Sequence, residues 1–192
     1  MKLIRTAALA ASALLIAVAA QAAPLKLKPA SPQPNPKSGL SVRYSWAGDP
    51  PARIQTLGEA KQMLRKAKGG QPLRGLDYRD TNEGDPVLTS GKAFNVAADI
   101  RGYIRFDSPG IYEIETWSND GIDARIGGQR VGYYEARQPC EPNQRVEVEV
   151  PQAGWYPVQI SYFQKYSTAC LMMKWGKKGS GMSWVPNSAF GR

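Results

Sequence analysis

The sequence predicts an all-β protein, an antiparallel two-sheet β-sandwich with one peripheral helix. Three observations carry that prediction. From Phe94 onward, short segments alternating apolar and polar residues follow one another. Turn formers such as Ser108-Pro109-Gly110, Asn119-Asp120-Gly121, Gly127-Gly128 and Ala153-Gly154 separate them at short intervals. Only one stretch, opening at Thr56, has helical spacing.

Residues 1–22 read as a bacterial signal peptide rather than part of the fold. Lys2 and Arg5 form a basic start, residues 6–20 an apolar run, and Ala20-Gln21-Ala22 a small-residue cleavage site. The apolar run is shorter than the ~20 residues that span a bilayer, so no transmembrane anchor is expected after cleavage. Residues 23–38 contain Pro24, Pro29, Pro32, Pro34 and Pro36 with Lys26, Lys28 and Lys37. Repeated prolines favour polyproline II, and this segment reads as a semi-rigid basic linker outside the packed core. The domain proper is expected over residues 39–192.

Residues 40–46 alternate and give the first strand. Thr56 and Glu59 form a capping box, Leu57, Ala60, Leu64 and Ala67 recur at helical spacing, and Gly69-Gly70 stop the helix. Lys61, Arg65, Lys66 and Lys68 fall elsewhere on its surface. Further strands are expected over 99–106, 111–117, 122–126, 145–150, 155–162 and 169–175. In the fourth of these, Val146, Val148 and Val150 face one way and Arg145, Glu147 and Glu149 the other, as in a sheet with one wet face.

Composition narrows the chemistry. Among 192 residues there is no His, which excludes Ser-His-Asp triads, Cys-His pairs and His-ligated zinc within the chain. Two Cys are too few for an iron–sulfur cluster or a four-Cys zinc site. In an oxidising compartment Cys140 and Cys170 are expected to pair, with only one intramolecular connectivity open to them. The formal charge is +9, and signal-peptide cleavage removes two of those cations and no acid. For an exported protein, anionic envelope polymers are better partners for such charge than nucleic acid.

The order of segments resembles a known family. Gly39-Leu40 opens the first strand. Arg101-Gly102-Tyr103-Ile104 is followed by Ser108-Pro109-Gly110-Ile111-Tyr112, and Trp117-Ser118-Asn119-Asp120-Gly121 by Gly127-Gly128. Ala153-Gly154-Trp155-Tyr156-Pro157-Val158, Tyr162-Phe163, Leu171 to Trp175 and Trp184-Val185-Pro186 close the chain. Together these are similar to the protective-antigen-type domain, a β-sandwich of toxins, glycosidases and adhesins. The likeness implies a carbohydrate-binding or adhesion module, or a structural insert.

In the adhesin branch, the resemblance implies calcium held by two adjacent aspartates in this turn. Here the turn is Asn119-Asp120, with Asp123 nearby in sequence, so calcium is a hedge. The loop Gln164-Lys165-Tyr166-Ser167-Thr168 would complete such a site, although the Lys165 ammonium would repel a cation unless it points away. Tyr133, Tyr134 and Tyr166 offer faces for sugar stacking; Tyr133 and Tyr134 are strand neighbours, so one of them should be exposed. Lys177 and Lys178, in a glycine-rich loop, offer an anion contact. Glu113 and Glu115 share a strand face roughly 7 Å apart, the spacing of an inverting glycosidase pair, but also that of ordinary solubilising acids. The expected function is therefore a periplasmic or secreted, non-catalytic module without a resident cofactor, binding carbohydrate or an anionic envelope polymer. The alternative is a structural or protein-interaction domain whose partner is another envelope protein.

Overall fold

A computed structural model describes residues 22–51 and 53–192; apart from Ala22, the expected signal peptide lies outside the described residues. In chain order the strands are β1 (Leu25–Lys26), β2 (Ser41–Trp46), β3 (Lys68–Gly69), β4 (Asp77–Tyr78), β5 (Val96–Phe106), β6 (Gly110–Asn119) and β7 (Ile122–Ile126). They continue as β8 (Gln129–Tyr134), β9 (Glu141–Val150), β10 (Gly154–Gln164), β11 (Cys170–Lys177), β12 (Ser183–Trp184) and β13 (Phe190–Gly191). Helix α1 (Leu57–Leu64) lies between β2 and β3.

Period-two patterning sorts these strands into two sheets packed face to face. One runs β1-β9-β6-β11-β12, with β4 also on β11; the other runs β3-β2-β5-β10-β7-β8, with β13 on β5. On β9, Val148 and Val150 are buried while Arg145 is exposed, as the alternation predicts. The longest pairing, β5 with β10, keeps register from Phe106↔Gly154 to Val96↔Gln164. Consecutive strands β6 and β7 belong to different sheets, so residues Asp120 and Gly121 carry the chain across the sandwich.

Several sequence motifs have a direct packing role. Tyr112 and Tyr156 bury their rings, yet each hydroxyl donates to a carbonyl four residues upstream, Ser108 O at 3.0 Å and Gln152 O at 2.7 Å. Burial of a phenol without such a partner would be costly. Phe106 joins them edge-on, with centroids 5.0 Å from Tyr112 and 5.3 Å from Tyr156. Gly39 is needed for its backbone: φ is +89° and a Cβ there would stand 2.3 Å from Leu73 O.

Helix α1 begins as expected, with the Thr56 and Glu59 box intact and Leu57, Ala60 and Leu64 buried. It stops at Leu64, earlier than the glycines suggest. Arg43 donates to Ala67 O at 2.6 Å, and Lys68–Gly69 pairs with β2 instead of extending the helix. No helix among the described residues is long and apolar enough to cross a membrane.

The proline-rich segment differs most from expectation. It is laid along the sandwich rather than held away from it. Leu25 and Lys26 pair in parallel with Val148 and Glu149, covering the edge of β9, and Leu27 is 1% exposed. Ala30 N donates to Trp155 O, Gln33 Oε1 accepts from Trp155 N, and Lys37 exchanges two backbone hydrogen bonds with Arg192. Prolines lack an N–H, so within these contacts the segment donates through Ala30 and Lys37 and otherwise accepts from Trp155 and Arg192. Leu27→Ala is therefore expected to destabilise the protein by about 2–4 kcal/mol, read as a lower urea midpoint; a passive tether would leave the midpoint unchanged.

Candidate functional site

The crossing from β6 to β7 is polar and almost fully buried: Asn119 is 6% and Asp120 3% exposed. Each polar group therefore needs a partner. Buried Tyr162 donates its hydroxyl to Asn119 O. Asp120 N donates to Phe163 O at 3.0 Å, and Asp120 Oδ2 accepts from Lys165 N at 2.8 Å. Asn119 Nδ2 donates to Thr168 Oγ1 at 2.9 Å. Gly121 follows because a Cβ would meet Phe163 Cε1 at 2.4 Å and Tyr134 O at 2.9 Å. The 164–168 loop is folded over this turn by Gln164, whose Nε2 donates to Ser167 O and Thr168 O. Gln164 Oε1 is buried with no partner among the described residues, an acceptor that a water or ligand hydroxyl would satisfy.

These pieces form one wall of an open cleft of about 370 Å³, lined by Asn119, Asp120, Tyr166, Ser167 and Thr168. Arg137, Gln138 and Pro139 form the other wall. The disulfide Cys140–Cys170 holds the walls together, since Cys170 pairs with Asn119 across β6 and β11 and Cys140 follows Pro139 directly. Burial pushes the Asp120 carboxyl above its ordinary 3.8, against the opposing pull of the Lys165 and Gln138 N–H groups and the Arg137 charge. Tyr166 stacks on Phe94 with centroids 5.1 Å apart and stays 42% exposed.

Of the residues singled out from sequence, the cleft gathers Asn119, Asp120 and Tyr166. Lys165 contributes its backbone N–H, while its ammonium donates to Gln55 Oε1 at 2.6 Å. Asp123 is a correction. Its carboxylate on β7 takes Arg130 at 2.9 Å and Lys61 at 2.7 Å, so it is held by cations and is not a further ligand at the turn. Burial alone would raise its pKa, but those partners outweigh it and hold Asp123 below 3.8.

Tyr133 and Tyr134 end β8 beside β7 but do not line the cleft, and both are exposed because β8 is an edge strand. Tyr133 donates to Glu135 Oε2 at 2.6 Å under the Arg130 guanidinium. Lys177 and Lys178 lie at the other end of β11, with Lys178 bonded to Glu147 at 2.8 Å. Arg137, Gln138 and Pro139 were not anticipated, whereas Ser167 and Thr168 belong to the loop expected beside the turn. The cysteines were the available signal, since pairing Cys140 with Cys170 brings the residues before each one together.

The donors at the turn do not suit a resident calcium ion, which takes six to eight hard oxygens, usually with several carboxylates. Asp120 supplies the single carboxylate of the cleft, one of its oxygens already accepts an N–H, and Arg137 lines the same space. The closest grouping of acidic and thiol ligands among the described residues is Asp80 with Cys140 and Cys170, whose sulfurs are joined in the disulfide.

Two antiparallel-rich sheets with a disulfide-framed cleft at one end define a β-sandwich module. The family model for the PA14 domain matches residues 80–188, and the chain belongs to that family. Among solved structures it is similar to a PA14 sugar-binding domain from an RTX adhesin (TM-score 0.65, 15% identity), covering 81% of this chain and 98% of that one. The PA14 domain of the MpAFP antifreeze protein is similar at TM-score 0.65 and 12% identity, with 84% and 95% covered. The epithelial adhesin 9 A domain of Candida glabrata, in complex with Galβ1-3GlcNAc, gives TM-score 0.61 and 16% identity, with 84% and 92% covered. Comparison with curated protein sequences found no match.

The raised Asp120 pKa has a stability consequence. Above pH 3.8 the unfolded chain loses this proton before the folded one does, so burial of Asp120 costs stability as pH rises towards the folded value. In urea unfolding across that interval, Asp120→Asn is expected to gain stability relative to the wild type as pH increases.

Proposed function

We propose that this chain is an exported, non-catalytic carbohydrate-binding module, and that the cleft beside the Asn119-Asp120 turn holds the sugar. One observation carries the proposal: a buried carboxylate lines an open cleft with an exposed guanidinium and an exposed aromatic ring. Sugar hydroxyls both donate and accept. Asp120 accepts from them, Arg137 donates to them, and the Ser167 and Thr168 hydroxyls do either. Tyr166, backed by Phe94, offers a flat face to a pyranose ring. The similar PA14 sugar-binding domain of the RTX adhesin and the sugar-complexed epithelial adhesin domain support this reading, and the disulfide supports a periplasmic or secreted location.

A carboxylate glycosidase is disfavoured by what the paired acids touch. Glu115 accepts from Trp117 Nε1 at 2.9 Å and from Arg145 at 3.4 Å, and the same arginine lies 3.8 Å from Glu113. Both acids are spent on neutralising Arg145 on a sheet face. Recognition is by protein groups alone, without a resident metal.

On a glycan array, binding is expected to survive chelator. Arg137→Ala and Asp120→Ala should each weaken it by roughly tenfold or more, the scale of a hydrogen bond to a charged group. Binding that required calcium would restore a metal to the turn, and no binding to any glycan would sink the lectin reading.

A further inference from the structure

Half of the 16 acidic side chains are matched by a nearby cation. Asp77, Asp99, Asp107, Asp123, Glu113, Glu115, Glu147 and Glu149 all form ion pairs. Several cations are left without an ion-pair partner among the described residues, Arg137 at the cleft and Lys177 included, and one set of them gathers near a single aromatic ring. Arg65, Lys66, Lys68 and Lys92 are exposed, and none has an ion-pair partner among the described residues.

Lys66 and Lys68 share a groove with Trp46, and Lys92 lies over its ring. Tyr44, Trp46, Met63, Lys66 and Lys68 line a groove of about 430 Å³ between β2 and the end of α1, with no carboxylate in its lining. Trp46 is 43% exposed, and Lys92 Nζ lies 4.1 Å from its ring centroid. The loop carrying Lys92 is fixed in place: Tyr44 OH accepts from Thr89 N and shares a hydrogen bond with Thr89 Oγ1, which in turn reaches Gln71 O. Burial raises the Tyr44 pKa to about 12, so its hydroxyl stays protonated and keeps that contact throughout the physiological range.

We propose that this groove is a second binding site, separate from the cleft, for a linear polysaccharide bearing carboxylate or sulfate groups. Cations from three places, the α1 exit, β3 and the 87–92 loop, converge on one aromatic ring. Single exposed ion pairs are worth little, so a lone anion gains little here, whereas a polymer that repeats its charge engages all of them together. The indole face suits the C–H face of a pyranose. Trp46 is the only large exposed apolar side chain of the groove, too little to insert into a bilayer.

The test uses the whole protein with polygalacturonate and heparin as the uronate and sulfate probes, and neutral dextran as control. Binding to one or both charged polymers, weakened by added salt and absent with dextran, is expected. Lys66→Gln with Lys68→Gln, and separately Trp46→Ala, should each reduce affinity about tenfold. Lys177→Gln with Lys178→Gln removes the same charge elsewhere and should change affinity by no more than about twofold. Equal losses from the two lysine pairs, or an unchanged Trp46→Ala, would overturn the site. Equal affinity for duplex DNA or for anionic phospholipid vesicles would overturn the ligand class. Neutral-glycan binding at the cleft should be untouched by these variants, so either site can fail without the other.

Discussion

The structure turns on a buried polar crossing. Between β6 and β7 the chain leaves one sheet for the other through Asp120 and Gly121, where water cannot satisfy its backbone. The Tyr162 hydroxyl and the Phe163 carbonyl and N–H meet those groups instead, and the Lys165 N–H meets the Asp120 carboxylate, all of them from β10 and the loop that follows. Satisfying the crossing thus fixes the 164–168 loop, and with it one wall of the cleft. The same buried carboxylate that completes the crossing is the one presented to a ligand, so fold and site share a single set of hydrogen bonds.

The disulfide extends this constraint to the opposite wall. Cys170 opens β11 beside Asn119, and Cys140 ends the segment containing Arg137. Arg137 is thereby kept near Asp120, where its charge partly offsets the effect of burial on that carboxyl. A turn with one carboxylate and a neighbouring guanidinium is a different electrostatic object from a turn with two carboxylates: it balances its own charge rather than requiring a divalent ion. Elsewhere, local pairing of acids with arginines and lysines removes charge from the sheet faces. Unmatched cations remain in several places, with Lys66, Lys68 and Lys92 gathered around Trp46.

Much of the β-sandwich was legible because strand patterning is local. The alternation on β9, the capping box of α1 and the paired tyrosine motifs each depend on residues a few positions apart. The proline-rich segment was misread because proline content reports on local conformation alone. Leu25 and Leu27 gain their burial from the open edge of β9, more than a hundred residues away. Asp123 was misread for a related reason: closeness in sequence to Asp120 does not reveal that Arg130 and Lys61 surround it. Arg137 carries no motif of its own, and only the meeting of two distant loops gives it a role.

The sequence by itself determined the class of fold and the excluded chemistries, and its family resemblance singled out the Asn119-Asp120 turn. The first two follow from composition and short-range periodicity, which bias the chain before it folds. Tertiary structure decided that the basic proline-rich segment is part of the sandwich, which cations remain unmatched, and which side chains share a cleft. Each is a question of distance between residues far apart in the chain, and electrostatic and hydrogen-bond energies depend on that distance.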